Sequence, residues 1–220
     1  EDYSPQVLPE MNLFYTADST LRFSAWANRV ATFPSLQAKY ANGPFALGNK
    51  SLSIALYDQI GIAGEKQFED LFIHGSAVFQ QRNNQIAALF ADEESRYVNL
   101  PNHNVVNINA LFDYSFLKDW RFVFKGDYFK ILEDKPVVAN RPEFYLKSFL
   151  QYHLVQFKGD LNARLRAGAF ILGERQGPLP FYAETSTLNT IMKPAIYPYF
   201  HAVLLYRSAE IFFAYENYID

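Results

Sequence analysis

Strict period-two alternation of apolar and polar residues, sustained over long runs, is the feature that most constrains the fold of this chain. Between Asp160 and Leu172, one set of alternate positions is wholly apolar, and the other carries an aspartate and two arginines. Because successive side chains of a β-strand point to opposite faces, this run predicts a strand with one apolar and one charged face. The apolar positions are Leu161, Ala163, Leu165, Ala167, Ala169 and Ile171.

The same alternation recurs in further segments along the chain. These segments begin at Leu21, Leu71, Val106, Trp120 and Glu210. Such runs are close to the ~9–11 residues of a tilted transmembrane strand. They exceed the ~5–6 residues that are usual for strands of globular sheets. The alternation therefore predicts an antiparallel sheet whose strands cross a bilayer.

The connections between the predicted strands alternate in length. Short turns are predicted at 16–20, 67–70, 117–119, 155–158 and 207–208. Long links are predicted at 31–53, 82–104, 132–143 and 173–195. Every second connection of an antiparallel sheet lies at the same end of the sheet. The short turns therefore lie at one end, and the long links lie at the other, which is called the elaborated end. Outer-membrane barrels have this asymmetry, with short periplasmic turns and long extracellular loops.

The composition agrees with a barrel wall. Aromatic residues make up 17% of the 220 residues, and the mean hydropathy is nevertheless slightly negative. No run reaches the ~18 apolar residues that a membrane helix requires. Cysteine is absent, which excludes thiolate metal sites and cysteine nucleophiles, and the net charge of -3 gives no basic surface for nucleic acid.

The alternative interpretation of the alternating strands is a soluble antiparallel sandwich or a small ligand-binding barrel.

These observations predict an all-β fold, an antiparallel up-and-down transmembrane β-barrel with ten or eleven strands in this chain. Residues 1–220 are expected to form one partial outer-membrane β-barrel, without a separate plug or soluble domain. The chain begins with a possible strand, 6–15, and stops just after another. An open sheet in lipid would leave unpaired backbone groups, so we expect these strands to belong to a larger barrel.

Several segments resemble the barrel domain of TonB-dependent receptors. They are the strand–turn–strand passage formed by 8–15 and 21–30, the segment 32–36 with Tyr40, Gly48-Asn49 with Leu52, the Tyr97-Val-Asn-Leu100 stretch, and the closing 209–220. Two features of the family pattern are missing: the proline and glutamate after Asn49, and the final strand. The resemblance implies the carboxy-terminal half of a 22-stranded barrel, with the plug outside this sequence.

The resemblance also implies a function. Such a receptor moves a scarce nutrient (a metal chelate, cobalamin or a glycan) across the bacterial outer membrane. Its expected partners are outer-membrane lipid, a plug domain, TonB and a small-molecule substrate, with no nucleic acid, no cofactor, no bound metal and no enzymatic activity. A passive porin, or a structural barrel of an envelope or secretion complex, is the alternative.

Two groups of residues are candidates for function. A charged wall facing the lumen is predicted from Arg121, Lys125, Asp127, Asp160, Arg164 and Arg166. It is either a hydrated wall with internal ion pairs or a lining that contacts the plug or guides an anionic substrate. Phe181 and Tyr182, in a long link, are candidates for recognition at the external surface.

Catalytic and metal-binding motifs are nearly absent. His74 and Ser76 share a strand face, which is the arrangement of an outer-membrane hydrolase pair, but that pair also needs a group that orients the histidine. The four histidines are well separated, and no metal-ligand spacing occurs. The sequence therefore predicts no catalytic residue and no metal site.

Overall fold

The computed structural model describes residues 7–40, 42–43, 46–91, 94–132, 142–176 and 191–216. Its strands, in chain order, are β1 (Glu10–Thr16), β2 (Leu21–Thr32), β3 (Asn42–Gly43), β4 (Ala46–Leu47), β5 (Ala55–Gln67), β6 (Leu71–Asn83), β7 (Ile86–Ala91), β8 (Glu94–Asn99), β9 (His103–Leu117), β10 (Trp120–Ile131), β11 (Phe144–Gln156), β12 (Leu161–Leu172), β13 (Arg175–Gln176), β14 (Ile191–Met192), β15 (Ala195–Tyr206) and β16 (Ala209–Glu216). One short helix, α1, spans Leu36–Tyr40.

Ten of these strands form one antiparallel sheet in the order β1-β2-β5-β6-β9-β10-β11-β12-β15-β16. Each long strand therefore pairs with the long strands that precede and follow it in the chain, as in an up-and-down barrel. The prediction of an all-β, antiparallel up-and-down sheet is confirmed. Among the described residues, no helix has the length and apolar character needed to cross a bilayer.

The strand register keeps the two faces of the sheet separate. Residues directly opposite each other lie on the same face, and the paired row Leu13, Ala25, Ile62, Ala77, Ile108 and Tyr128 is apolar or aromatic throughout. We call this side the apolar face. Away from the strand ends, Ser148 is the one polar side chain on this face of the described sheet. The apolar stripe predicted for 161–171 lies on this face.

The same row shows that the strands are staggered. Leu13 lies in the middle of β1, whereas the row ends at Phe144, the first residue of β11 at the long-link end. A row perpendicular to the strands thus climbs toward the long-link end of the sheet. This progressive shift is the shear that accompanies tilted strands in a β-barrel.

Aromatic rings gather on the apolar face near the short turns. Tyr15 stacks on Phe23 with ring centroids 6.5 Å apart, and Trp120 lies 4.8 Å from Tyr152. Phe116 continues the group, with its centroid 6.3 Å from that of Trp120. Outer-membrane barrels carry such aromatic girdles at the membrane–water interfaces.

Two of the predicted long links are ordered and packed together. β7 and β8 form a hairpin, and β8 also pairs with β4, which belongs to the link between β2 and β5. Asn99 donates to the carbonyls of Ser53 and Asn84, at 3.2 and 2.7 Å, and Asn49 donates to the Tyr97 carbonyl at 3.0 Å. Leu52, Ala55 and Leu100 are buried beneath these contacts. The two links therefore form one unit at the elaborated end.

Some predicted boundaries differ from those in the structure. The first strand begins at Glu10, after the extended residues 7–9. Asp160 was predicted as the first residue of a strand, but β12 begins at Leu161, and a short 3-10 turn over Phe157–Gly159 precedes it. Phe157, Lys158 and Gly159 have positive φ angles, and Asp160 itself has a helical conformation (φ -63°, ψ -28°), so Asp160 belongs to the turn.

Candidate functional site: the charged face

The side of the sheet opposite the apolar face, here called the charged face, brings together most of the predicted wall residues. Arg121 pairs with Gln151, and Gln151 pairs with Arg166, so that the two arginines lie on one row. Lys125 and Asp127 lie on the same face of β10. Arg164 follows on β12, opposite His153. Asp160 lies in the turn instead, where its carboxylate accepts from Arg207 Nε at 3.4 Å.

Some basic residues of the charged face have carboxylate partners. Arg121 forms a bidentate ion pair with Asp113, in which Nε donates to Oδ1 at 2.7 Å. Arg22 lies 3.6 Å from Glu65. His201 Nε2 lies 3.0 Å from Glu216 Oε1. Asp113 was not among the predicted site residues, although its position in the alternation places it on this face.

Other cations contact rings and amides instead. Lys147 Nζ lies 4.8 Å from the ring centroid of Phe170 and 5.8 Å from that of Tyr199. The Arg166 guanidinium lies 5.2 Å from the centroid of Phe149, and its Nε donates to Gln151 Oε1 at 2.7 Å. Cation–π contacts and a neutral acceptor hold these side chains in place, and within the described ranges neither cation forms an ion pair with a carboxylate.

A glycine makes room for the most buried ring of this group. Gly168 pairs with Phe149 on one side and with Tyr199 on the other. A Cβ atom at Gly168 would lie 2.2 Å from the Ser148 carbonyl oxygen and 2.7 Å from the Phe149 Cβ. Tyr199 is 5% exposed and lies 4.7 Å from Phe170, centroid to centroid. Tyr199 was not among the predicted site residues, although its spacing of two from Tyr197 and His201 places the three side chains on one face.

In the described sheet, the large buried side chains lie on the charged face, whereas the buried residues of the apolar face, Ala163 and Gly126, are small. Val105, Val123, Phe129, Gln151 and Tyr199 are all buried on the charged face. On the apolar face, Ile60, Ile62 and Ile211 each remain more than 60% exposed. Side chains converge on the inner side of a curved sheet, so the charged face has the packing of a barrel interior. The lumenal role of the wall residues themselves stays a prediction.

The possible hydrolase pair is not assembled. His74 Nδ1 lies 3.9 Å from Glu65 Oε2, and the Ser76 hydroxyl accepts from Asn109 Nδ2 at 3.3 Å. In the described part of the sheet, no hydrogen bond joins His74 to Ser76, so the nucleophile–base contact of a hydrolase is missing there. The two residues contribute instead to the polar surface of the charged face.

Two further predictions concern binding. Phe181 and Tyr182 lie outside the described residues. Within the ranges that the structure describes, no group of three or more histidine, aspartate or glutamate side chains is arranged to hold a metal ion.

An antiparallel sheet of staggered strands, apolar on one face and charged on the other, with short turns at one end and long links at the other, defines the wall of an outer-membrane β-barrel. More particularly, the fold is that of the barrel of TonB-dependent receptors. It matches the ferric enterobactin receptor PfeA of Pseudomonas aeruginosa in complex with enterobactin, with a TM-score of 0.69 and 16% identity over 97% of this chain and 35% of that one. The resemblance noted in the sequence motifs is confirmed at the level of fold.

Two other solved structures give the same result. The ferric yersiniabactin uptake receptor FyuA of Yersinia pestis matches with a TM-score of 0.67 and 10% identity, over 96% of this chain and 32% of the receptor. The copper transporter OprC matches with a TM-score of 0.69 and 9% identity, over 91% of this chain and 31% of that protein. This chain thus spans about a third of the length of these structures. No protein-family model and no curated protein matches the sequence.

Proposed function

We propose that this chain forms part of the barrel wall of a TonB-dependent receptor that takes up a scarce nutrient across the outer membrane of a Gram-negative bacterium. The observation that carries the proposal is the separation of faces across all ten strands. The apolar face provides a surface for lipid, and the charged face provides a hydrated wall for the lumen. The partners of the full-length protein would be outer-membrane lipid, a plug domain, TonB and a small-molecule substrate.

A metal-bearing nutrient is the substrate class that fits best. The solved proteins with this fold include receptors for ferric enterobactin and ferric yersiniabactin and a copper transporter. Their names support a metal or a metal chelate over cobalamin or a glycan. Recognition would fall to the long links, because their hydrogen-bonded unit gives the elaborated end a fixed surface. Uptake needs no bond chemistry, so the proposal requires no contact between His74 and Ser76.

The membrane assignment can be tested with single cysteines, because the chain contains none. Ile62→Cys lies on the apolar face, Ala63→Cys on the charged face, and Ser19→Cys in a short turn. The experiment uses the full-length receptor in lipid vesicles, with any cysteine outside this segment replaced by serine. We expect brominated lipid to quench a fluorophore at position 62 strongly and fluorophores at positions 63 and 19 less. A water-soluble maleimide should react with position 19 fastest. Equal maleimide reactivity at 62 and 19 would contradict the assignment.

A second experiment separates active uptake from the alternatives. If the chain belongs to a TonB-dependent receptor, uptake of an iron chelate by cells that carry the full-length protein should stop when TonB is deleted. A passive porin would continue to admit small solutes in the same cells. A structural barrel would show no uptake in either strain. For the hydrolase alternative, His74→Ala should leave uptake and phospholipid turnover unchanged.

A further inference from the structure

We propose that the charged face contains a carboxylate-binding site formed by Lys125, Lys147, Arg166 and Tyr199. The inference rests on the proposed function only in placing these side chains inside the barrel. The carboxylate belongs either to a free solute or to a side chain of the same receptor, and the experiment below distinguishes these two sources.

The first observation is a pair of like charges. Lys125 on β10 lies directly opposite Lys147 on β11, so both ammonium groups project from the same face at adjacent positions. Like charges directly opposite on a sheet are destabilising unless a counter-charge compensates them. Neither lysine forms an ion pair with any residue in the described ranges. Among the described residues, no carboxylate therefore neutralises this lysine pair through an ion pair.

The nearest candidate within the wall does not provide this anion. Asp127 follows Lys125 by two positions on the same face of β10 and pairs with Tyr145. Its carboxylate makes no ion pair and no hydrogen bond among the parts of the chain that are described. Among the other basic residues of the charged face, Arg22, Arg121 and His201 each have a carboxylate partner.

The remaining groups around Lys147 are also donors. Arg166 uses its Nε for Gln151, and in the described part of the sheet its terminal nitrogens have no carboxylate partner. The Tyr199 hydroxyl is buried and has no hydrogen-bond partner in that part of the chain. A buried polar group without a partner costs about 1–3 kcal/mol, so a bound acceptor would offset a real penalty.

Geometry brings these donors together. Lys147 Nζ lies 4.8 Å from the ring centroid of Phe170 and 5.8 Å from that of Tyr199, and Gly168 lets the Tyr199 and Phe149 strands pack closely on either side of it. Lys125, Lys147, Arg166 and Tyr199 thus present donors from neighbouring strands on the same face. A carboxylate has two oxygens and about four acceptor sites, and it matches this set of donors.

The first arm of the test uses succinate as the probe. The full-length receptor in detergent micelles is titrated calorimetrically at constant ionic strength. We expect succinate to bind if the site is open, and Lys147→Gln and Arg166→Gln each to weaken binding by about tenfold or more, as expected for loss of a charge-assisted contact. Arg22→Gln is the matched control, because this cation lies on the same face and already has Glu65. It should bind succinate as the wild type does.

The second arm detects a carboxylate supplied by the receptor. A carbodiimide joins an adjacent amine and carboxylate into an amide, and the oxygen removed from the carboxylate converts the reagent to a urea. If the receptor fills the site itself, succinate will not bind, and mass spectrometry will find Lys147 or Lys125 linked to an aspartate or glutamate from another part of the protein. Lys130 and Glu143, 3.7 Å apart, provide the positive control.

The proposal is overturned by any of three results. In the first, neither succinate binding nor a lysine link is found, although Lys130 and Glu143 do couple. In the second, succinate still binds to the variant that carries both Lys147→Gln and Arg166→Gln. In the third, Lys147 is linked to Asp127, which would mean that the wall supplies its own counter-charge. None of these results changes the cysteine-labelling pattern or the TonB dependence of uptake, so failure of the site is distinguishable from failure of the proposed function.

Discussion

Arg29 on β2 and Asp58 on β5 face each other on the apolar face, where Nε donates to Oδ1 at 2.5 Å and Nη2 donates to Oδ2 at 3.0 Å. The pair lies at the long-link end of both strands. Lys130 and Glu143 form a second ion pair at the same end of the sheet. Charges with this placement mark the edge of the apolar face, where the bilayer core would give way to polar headgroups.

Removing either partner of the Arg29–Asp58 pair should destabilise the barrel more than removing both. Arg29→Leu leaves a carboxylate, and Asp58→Leu leaves a guanidinium, alone at the edge of the lipid. We expect each single variant to lower the urea midpoint of the lipid-reconstituted receptor and the double variant to recover part of the loss. Arg22→Leu, which breaks the 3.6 Å contact with Glu65 on the charged face, should have a smaller effect. Equal losses for Arg29→Leu and Arg22→Leu would argue against lipid beside Arg29.

Neighbouring positions on β6 should respond oppositely to a new charge. Ala77 lies on the apolar face between Ile62 and Ile108, and Ser76 lies on the charged face between Ala63 and Asn109. Arginine on the lipid face of a barrel costs about 2–4 kcal/mol near the bilayer midplane. We therefore expect Ala77→Arg to lower the free energy of unfolding by roughly this amount, and Ser76→Arg to have little effect. Reversed sensitivities, measured by urea titration in vesicles, would invert the assignment of the two faces.

The two glycines at Gly168 and Gly75 should differ in their tolerance of alanine. A Cβ at Gly168 would meet backbone and side-chain atoms at 2.2–2.9 Å, whereas at Gly75 the nearest atom is the Asn109 carbonyl oxygen at 3.8 Å. Overpacking of this kind typically costs about 1–3 kcal/mol. Gly168→Ala should therefore unfold at a clearly lower urea concentration, and Gly75→Ala should remain close to the wild type. A neutral Gly168→Ala would show that β11 and β12 adjust to the added methyl group.

The first short turn should weaken in acid. The Asp18 carboxylate accepts hydrogen bonds from the Thr20 hydroxyl, at 2.5 Å, and from its backbone N–H, at 2.7 Å, and these lower the pKa of Asp18 from 3.8 to about 2. Because the folded pKa is depressed, the contribution to stability is complete above the unfolded pKa and is lost as the pH falls toward the folded pKa. Between pH 4 and pH 2, the urea midpoint of the wild type should fall more than that of Asp18→Ala.

A second variant isolates the cause of this pH dependence. Thr20→Val retains the carboxylate and the backbone donor but removes the hydroxyl, which is the largest contributor to the lowered pKa. The slope of its urea midpoint against pH should lie between those of the wild type and Asp18→Ala. If all three proteins have the same slope, Asp18 is not the group that titrates.

The sequence by itself determined which residues share a face. Alternation is a local property, since each strand sends successive side chains to opposite sides whatever it pairs with. The stripe from Leu161 to Ile171 and the positions of four of the five short turns therefore agree with the structure. The exception is the turn before Asp160, where three consecutive positive φ angles delay the next strand, and nothing in the alternation marks such angles.

Only the tertiary structure decided which of these residues meet. Lys125 faces Lys147, Arg29 faces Asp58, and Tyr199 is buried over Gly168 because of the stagger between strands that are distant in the chain. A shift of that register by two residues would preserve every apolar and every charged position and change each of these neighbours. The stagger depends on how all the strands pair with their neighbours, and no single strand sets it. It determines which residues of the charged face come into contact.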